Sequence, residues 1–248
     1  MKKIFIILLF LSSTTFIMAS EIKMMTENYP PYNMEFEGEL QGVSIDIVEE
    51  MLKQMNSKKK KSDIELLAWS KGYDSVLKNK NHLLFATTRT KSRENLFKWV
   101  GPITKTSVGL TALKSKNITI KDTSELKNYR IGTVKSDIGE TLLYENNIPK
   151  KNIYPIDGVN SLATSFYKLE NDKIDMLSYE TTVALYSADL NGYDTDDHEI
   201  VYTLQTGELY FAFNKLTSDE IINKWQEALD TIKKNGVYTN ILIKYKIK

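Results

Sequence analysis

Thr87-Thr88-Arg89-Thr90-Lys91-Ser92-Arg93-Glu94, followed by Phe97-Lys98-Trp99-Val100-Gly101-Pro102, is the stretch on which the reading of the fold turns. It sets hydroxyls and guanidinium groups beside a stiff aromatic and proline turn, which is the chemistry of an anion clamp. Arg offers a planar fork of donors that matches a carboxylate, and neighbouring Thr hydroxyls and backbone N–H groups satisfy the remaining lone pairs. If Thr88 faces a cleft from extended backbone, Arg89 beside it faces away.

Working outward, apolar runs alternate between strand and helix spacing. Upstream, Glu21 to Thr26 predicts a short strand, and Tyr29-Pro30-Pro31-Tyr32 a rigid extended turn. Ser44 is placed to cap a helix whose apolar positions Ile45, Val48, Leu52 and Met55 recur at helical spacing. Ile64 to Leu67 is the next strand, Tyr73 to Lys80 a short helix, and Leu83 to Ala86 a third strand. Downstream, Val108 to Lys114 reads as a strand crossing into a second lobe. Arg130 to Val134 is a buried strand leading through Lys135-Ser136-Asp137 into a helix with Leu142 and Leu143 inward. Asn160 begins a helix carrying Leu162, Phe166 and Leu169, and Ile174 to Leu177 is the strand after it. Leu209 to Phe213 predicts the return crossing. Thr217-Ser218-Asp219-Glu220 has the spacing of a capping box, before a helix with Ile221, Trp225, Leu229 and Ile232 on one face that stops near Gly236. A last helix buries Ile241, Leu242 and Tyr245. Strands alternating with helices imply a largely parallel α/β layer, and two crossing segments around a contiguous insert imply two lobes joined by a hinge. The expected division is residues 21–108 with 206–248 as lobe I and residues 109–205 as lobe II.

The first 20 residues carry Lys2 and Lys3, an apolar run from Ile4 to Leu11, and small residues Ala19 and Ser20. That order is expected of a secretory signal peptide cleaved near Ala19 or Ser20, since the run is shorter than the about 20 apolar residues that span a bilayer. The chain has no cysteine, hence no disulfide and no lipid-bearing cysteine, and the expected location is the periplasm. Removing Lys2 and Lys3 from 33 basic side chains leaves 31 against 32 acidic ones. Such a balance argues against a nucleic-acid partner, which favours a basic face. Lys58 to Lys61 reads as a solvated turn after a helix. His82 and His198 stand apart, so no metal site is expected, and without Cys or a His-paired Ser there is no ordinary nucleophile. Asp194, Asp196 and Asp197 lack the spacing of a calcium loop.

Landmarks along nearly the whole remaining chain give a more specific identity: Tyr29-Pro30-Pro31-Tyr32; Gly42-Val43-Ser44-Ile45-Asp46; Thr90-Lys91-Ser92-Arg93 with Phe97 and Pro102; Arg130-Ile131-Gly132; and Lys173-Ile174-Asp175 leading to Glu180. In this order they resemble the periplasmic solute-binding proteins of the bacterial extracellular family 3 type, the receptors of polar amino acid ABC transporters. The resemblance implies a type II periplasmic-binding-protein fold, an α/β molecule with two hinge-crossing segments. It also implies a small ligand, an amino acid or related zwitterion, a membrane ABC permease as partner, a monomer, and neither cofactor nor catalysis.

Carried onto this chain, the resemblance places a ligand carboxylate against Arg93, Thr88 and the backbone N–H groups of the Ser136-Asp137-Ile138 turn. It places the ligand's ammonium at Glu180, where the family more often has Asp. Asp137 also departs from the family's small hydroxyl or Gly; its carboxylate would oppose a ligand carboxylate unless it caps the helix. Tyr29 aligns with an aromatic that covers the ligand, and Trp69 or Tyr73 is the candidate for the opposite wall, with lobe core as the alternative for each. Trp99 and Pro102 are expected near the hinge and Trp225 in the helix core. Two other functions remain open on the same fold: sensing for a chemoreceptor or sensor kinase, and a cyclohexadienyl-type dehydratase in which Glu180 acts as general acid.

Overall fold

The computed structural model describes residues 21–247; the expected signal peptide lies outside them. Among these residues, ten strands and seven α-helices follow in order. The first half comprises β1 (Lys23–Thr26), β2 (Met34–Phe36), β3 (Glu39–Gln41), α1 (Val43–Gln54), β4 (Ile64–Leu66), α2 (Trp69–Lys78), β5 (His82–Thr88) and β6 (Phe97–Leu113). The second comprises β7 (Ile131–Val134), α3 (Ile138–Glu145), β8 (Ile153–Ile156), α4 (Ser161–Glu170), β9 (Met176–Glu180), α5 (Thr181–Leu190), β10 (His198–Asn214), α6 (Asp219–Lys234) and α7 (Val237–Lys244).

Eight strands form one mixed sheet in the order β4-β1-β5-β10-β6-β9-β7-β8, and β2 and β3 form a separate hairpin. Strand β1 pairs in parallel with β4 and β5 at one end, and β7 pairs in parallel with β8 and β9 at the other. Between these parallel blocks run β6 and β10, each of 17 residues and paired to one another antiparallel. One end of β10, Leu209 to Phe213, lies against β5, whereas the other half of the ribbon reaches β9 through Val108 to Thr111. The ribbon therefore belongs to both lobes, and it is much longer than the expected crossings at Val108 to Lys114 and Leu209 to Phe213. Its register shifts between Ile200 and Tyr202, Thr203 and Gln205, and Leu209 and Phe211, irregularities of the kind that bend a strand pair.

One core cluster packs α1, α2 and α6 on the sheet through Val48, Met51, Val76, Phe213, Trp225 and Leu229 and continues into the second lobe at Phe166, Leu177 and Val183, where a separate cluster of Leu110, Leu126, Ile131, Leu143 and Met176 also packs. Trp225 stands edge-on to Phe213 at 5.3 Å, in the core as expected. Lys59 and Lys61 at the turn after α1 pair with Glu21 and Glu39.

Two expected caps are corrected. Ser44 does not cap α1; it lies one residue inside the helix, its hydroxyl buried without a hydrogen-bond partner. The N–H groups of Val43 and Ser44 donate instead to the carbonyls of Pro31 and Tyr32, at 3.1 and 2.7 Å. The proline turn thus satisfies the helix start, and only Gly fits at position 42, where φ is 129° and a Cβ would lie 2.5 Å from the Tyr32 carbonyl oxygen. At α6 the N-cap position falls to Ser218, so the third helical residue is Ile221 and Glu220 arrives one position early for a capping box. Helix α2 starts at Trp69, earlier than the expected Tyr73. Gly236 follows α6 at φ 85°, as its stop signal predicts. Among the described residues no helix is long and apolar enough to cross a membrane.

Candidate functional site

Arg93 lies in the turn between β5 and β6 and is 3% exposed. Its guanidinium donates to the Thr88 carbonyl and, across the cleft, to the Ser136 carbonyl, both at 3.4 Å. It lies 5.6 Å from the Trp69 ring centroid and 5.0 Å from that of Tyr73, and the two rings face each other at a tilt, 5.6 Å apart. The aromatic pair on α2 therefore walls the protein's own cation. Trp69 also donates its indole N–H to the Ser136 carbonyl at 2.9 Å. Thr88 is buried beside Arg93 at the end of β5.

Asp137 is the N-cap of α3, its Oδ2 accepting from the Gly139 N–H at 3.4 Å. Asp137 is 3% exposed. Burial raises its pKa, against the pull of Arg93 and of the Ile138 and Gly139 N–H groups. Facing it from the first lobe is Glu27, at the carboxyl end of β1, where ligands gather in parallel sheets. Burial, then the nearby Asp137, push the Glu27 carboxyl well above its usual range, while Tyr179 and Arg93 pull it down. The Tyr179 hydroxyl on β9 donates to Glu27 Oε2 at 3.4 Å. Tyr29 completes the wall, edge-on to Tyr179 at 5.5 Å and tilted against Tyr32 at 5.7 Å. Burial and the carboxyls of Glu180, Asp137 and Glu27 raise its hydroxyl pKa, so both tyrosines are neutral groups among acids.

Glu180 closes β9 and caps α5, with Oε2 accepting from the Val183 N–H at 2.7 Å and Oε1 from the Ser107 N–H at 3.3 Å. Burial lifts its pKa to about 6, with the backbone bonds to Val183 and Ser107 acting in the opposite direction. It lines an open cavity of about 690 Å³ beside the crossing strands, with Tyr32, Thr106, Ser107 and Glu208. Arg93 does not line this cavity; Tyr29 feels the charges of both Glu180 and Asp137.

The lobes touch directly. Besides the bonds to Ser136, Ser70 on α2 donates to Asp157 Oδ1 at 2.6 Å, and Asp157 also pairs with Lys135 at 3.0 Å. Arg89 points away from the cleft, as strand alternation predicts: it pairs with Glu94 at 2.5 Å and stacks over Trp99 and Tyr210.

Residues 22–248 match the family described as bacterial extracellular solute-binding proteins, family 3. The chain belongs to that family. It is 23% identical over 230 residues to a probable histidine-binding protein of Campylobacter jejuni, covering 89% of this chain and 82% of that one. It is 24% identical over 255 residues to an arginine-binding periplasmic protein of Mannheimia haemolytica, covering 99% and 98%. A histidine kinase sensor domain with similarity to periplasmic binding proteins superposes with a TM-score of 0.79 at 16% identity, covering 91% of this chain and 96% of that one. The type II periplasmic-binding-protein fold is thereby established.

Within this family 3 protein, the anchors expected from the sequence fall into two groups. Thr88, Arg93, Trp69, Tyr73, Ser136 and Asp137 come together at the front of the cleft, and Glu180 with Tyr32 sits at the hinge side, Tyr29 joining the two. Glu27 and Tyr179 are the members that sequence reading missed. The available signal was the position of Glu27 directly after Thr26, at the carboxyl end of a parallel strand and two residues before Tyr29.

Proposed function

We propose that this chain is a periplasmic receptor that closes two lobes on a small, positively charged solute of the amino-acid type and delivers it to a membrane ABC permease. The observation that carries this reading is the convergence on Tyr29 and Tyr179 of Glu27 from one lobe and Asp137 from the other, with the Asp137 charge raising the Glu27 pKa. A cation placed between the two carboxyls favours the ionised form of Glu27 and makes charge-assisted bonds to both lobes. Tyr29 and Tyr179 offer ring surface and hydroxyls around it, and Arg93, packed against Trp69 and Tyr73, seals the front. The histidine- and arginine-binding relatives support a basic ligand.

The lobes in this reading are residues 21–108 with 206–248, and residues 109–205, hinged along β6 and β10. The protein acts as a monomer and without catalysis: Glu180 is held by the Val183 N–H as the cap of α5 and by the Ser107 N–H of β6, which fixes it in place rather than freeing it as a proton donor. Its role is to set the hinge-side floor of the cleft. The test is a thermal-shift screen of the purified protein against basic, neutral and acidic amino acids and their amines, followed by calorimetry. A ligand at a hundredfold excess over Kd stabilises the folded form by about 2.7 kcal/mol. Stabilisation by acidic solutes alone would sink the reading. Compaction in small-angle scattering on adding the hit distinguishes closure from surface binding, and pull-down by the permease distinguishes transport from sensing.

A further inference from the structure

The part of the cleft that would hold a ligand's carboxylate is already filled by the protein itself. The Ser136 N–H donates to Glu140 Oε2 at 2.5 Å, and the Asp137 N–H to the Val134 carbonyl at 3.1 Å. The N–H groups of Ile138 and Gly139 are taken by the Asp137 side chain. No amide of this turn is left to receive an incoming anion. Ser136, at φ 63°, turns its carbonyl oxygen toward the first lobe instead, where it accepts from Trp69 and Arg93. An approaching carboxylate therefore meets a carbonyl oxygen and a buried carboxyl, both of which repel it. Arg93, the only guanidinium in the cluster, already acts on two carboxyls, Glu27 and Asp137. A ligand with its own carboxylate adds a negative group beside Asp137, with a single guanidinium to offset both.

Resting on the receptor reading above, we propose that the ligand is an amino-acid-derived cation without a free α-carboxylate, an amine or guanidine, with Asp137 standing where that carboxylate would sit. Glu27, Asp137 and the two tyrosine hydroxyls then take the cationic end, and Arg93 balances the charge that remains.

The test is calorimetry on matched pairs: agmatine against arginine, cadaverine against lysine, and histamine against histidine. The decarboxylated member of at least one pair should bind the wild-type protein about tenfold or more tightly than its parent. Asp137→Ser, which keeps a capping hydroxyl at the start of α3, should move the preference toward the parent amino acid by about tenfold or more. Parent amino acids that bind the wild type more tightly than their amines overturn this inference and leave the receptor reading intact. A preference for amines that Asp137→Ser does not alter overturns the role given to Asp137. Heat and thermal shift absent for both members of every pair overturn the inference together with the cationic-receptor reading.

Discussion

Replacing Glu27 with Gln keeps the shape of the side chain and removes its charge, which isolates what the charge does. Burial and Asp137 hold the Glu27 carboxyl protonated well above its usual range in the free protein. A bound cation favours the ionised form, so ligand binding expels a proton, and affinity rises with pH between the ordinary and the free-state pKa. A hydrogen bond to a charged group contributes about 1.5–3 kcal/mol. Glu27→Gln should therefore weaken binding by about 2 kcal/mol, roughly 30-fold in Kd. Calorimetry in two buffers of different ionisation enthalpy reads the proton directly: the wild type should show a buffer-dependent heat and the variant should lose that dependence. An unchanged Kd in Glu27→Gln, together with a buffer-independent heat in the wild type, would refute the placement of the ligand's charge at Glu27.

Two further outcomes follow from the geometry. Glu180 has an ordinary value of 4.5 raised to about 6 by burial, so the folded state holds its proton longer than the unfolded state. Its stabilising contribution is full below pH 4.5 and is lost as pH rises through about 6, a change of about 2 kcal/mol. Urea titrations of Glu180→Gln should show a flatter stability profile across that window, and an identical slope in variant and wild type would count against it. Trp69→Phe keeps a ring beside Arg93 but removes the N–H that donates to the Ser136 carbonyl at 2.9 Å. It should weaken lobe closure by about 1 kcal/mol, seen in small-angle scattering as a larger radius at subsaturating ligand; an unchanged titration curve would show that this bond does not hold the lobes.

The α/β alternation and the two-lobed plan were legible because apolar spacing reports burial within one element. The length of the crossing ribbon was not, since Thr104-Lys105-Thr106-Ser107 interrupts the apolar pattern where the strands pass between lobes and lose the cover of either core. Ser44 and Thr217 carried the right residue types for caps, but the true starts depend on neighbours: the Tyr32 carbonyl at one helix, a one-residue offset at the other. In the site, Arg93 and Asp137 were visible as charged groups inside recognisable turns. Glu27 was hidden because a Glu at the end of a four-residue strand reads as solvated, and only the approach of Tyr179 and Asp137 from the other lobe buries it. Tyr179 was hidden in the apolar run of β9.

That burial from both sides gives the receptor its switch. In the closed arrangement Glu27 and Asp137 oppose one another across the cleft, and the direct bonds between lobes are few and polar. Shifting a hinge from 1:99 to 99:1 takes about 5.5 kcal/mol of differential affinity. Two charge-assisted bonds at about 1.5–3 kcal/mol each, one from each lobe and both available only on closure, are of that size. A solute that touches one lobe binds without closing it. The two carboxyls should therefore be strongly coupled. Once Glu27→Gln has removed one side of the bridge, Asp137→Asn should cost much less than it does in the wild type, with an interaction energy of about 0.5–3 kcal/mol in a double-mutant cycle on ligand affinity. Strictly additive losses would mean that the two groups act separately, and that closure is driven by something other than a cation shared between them.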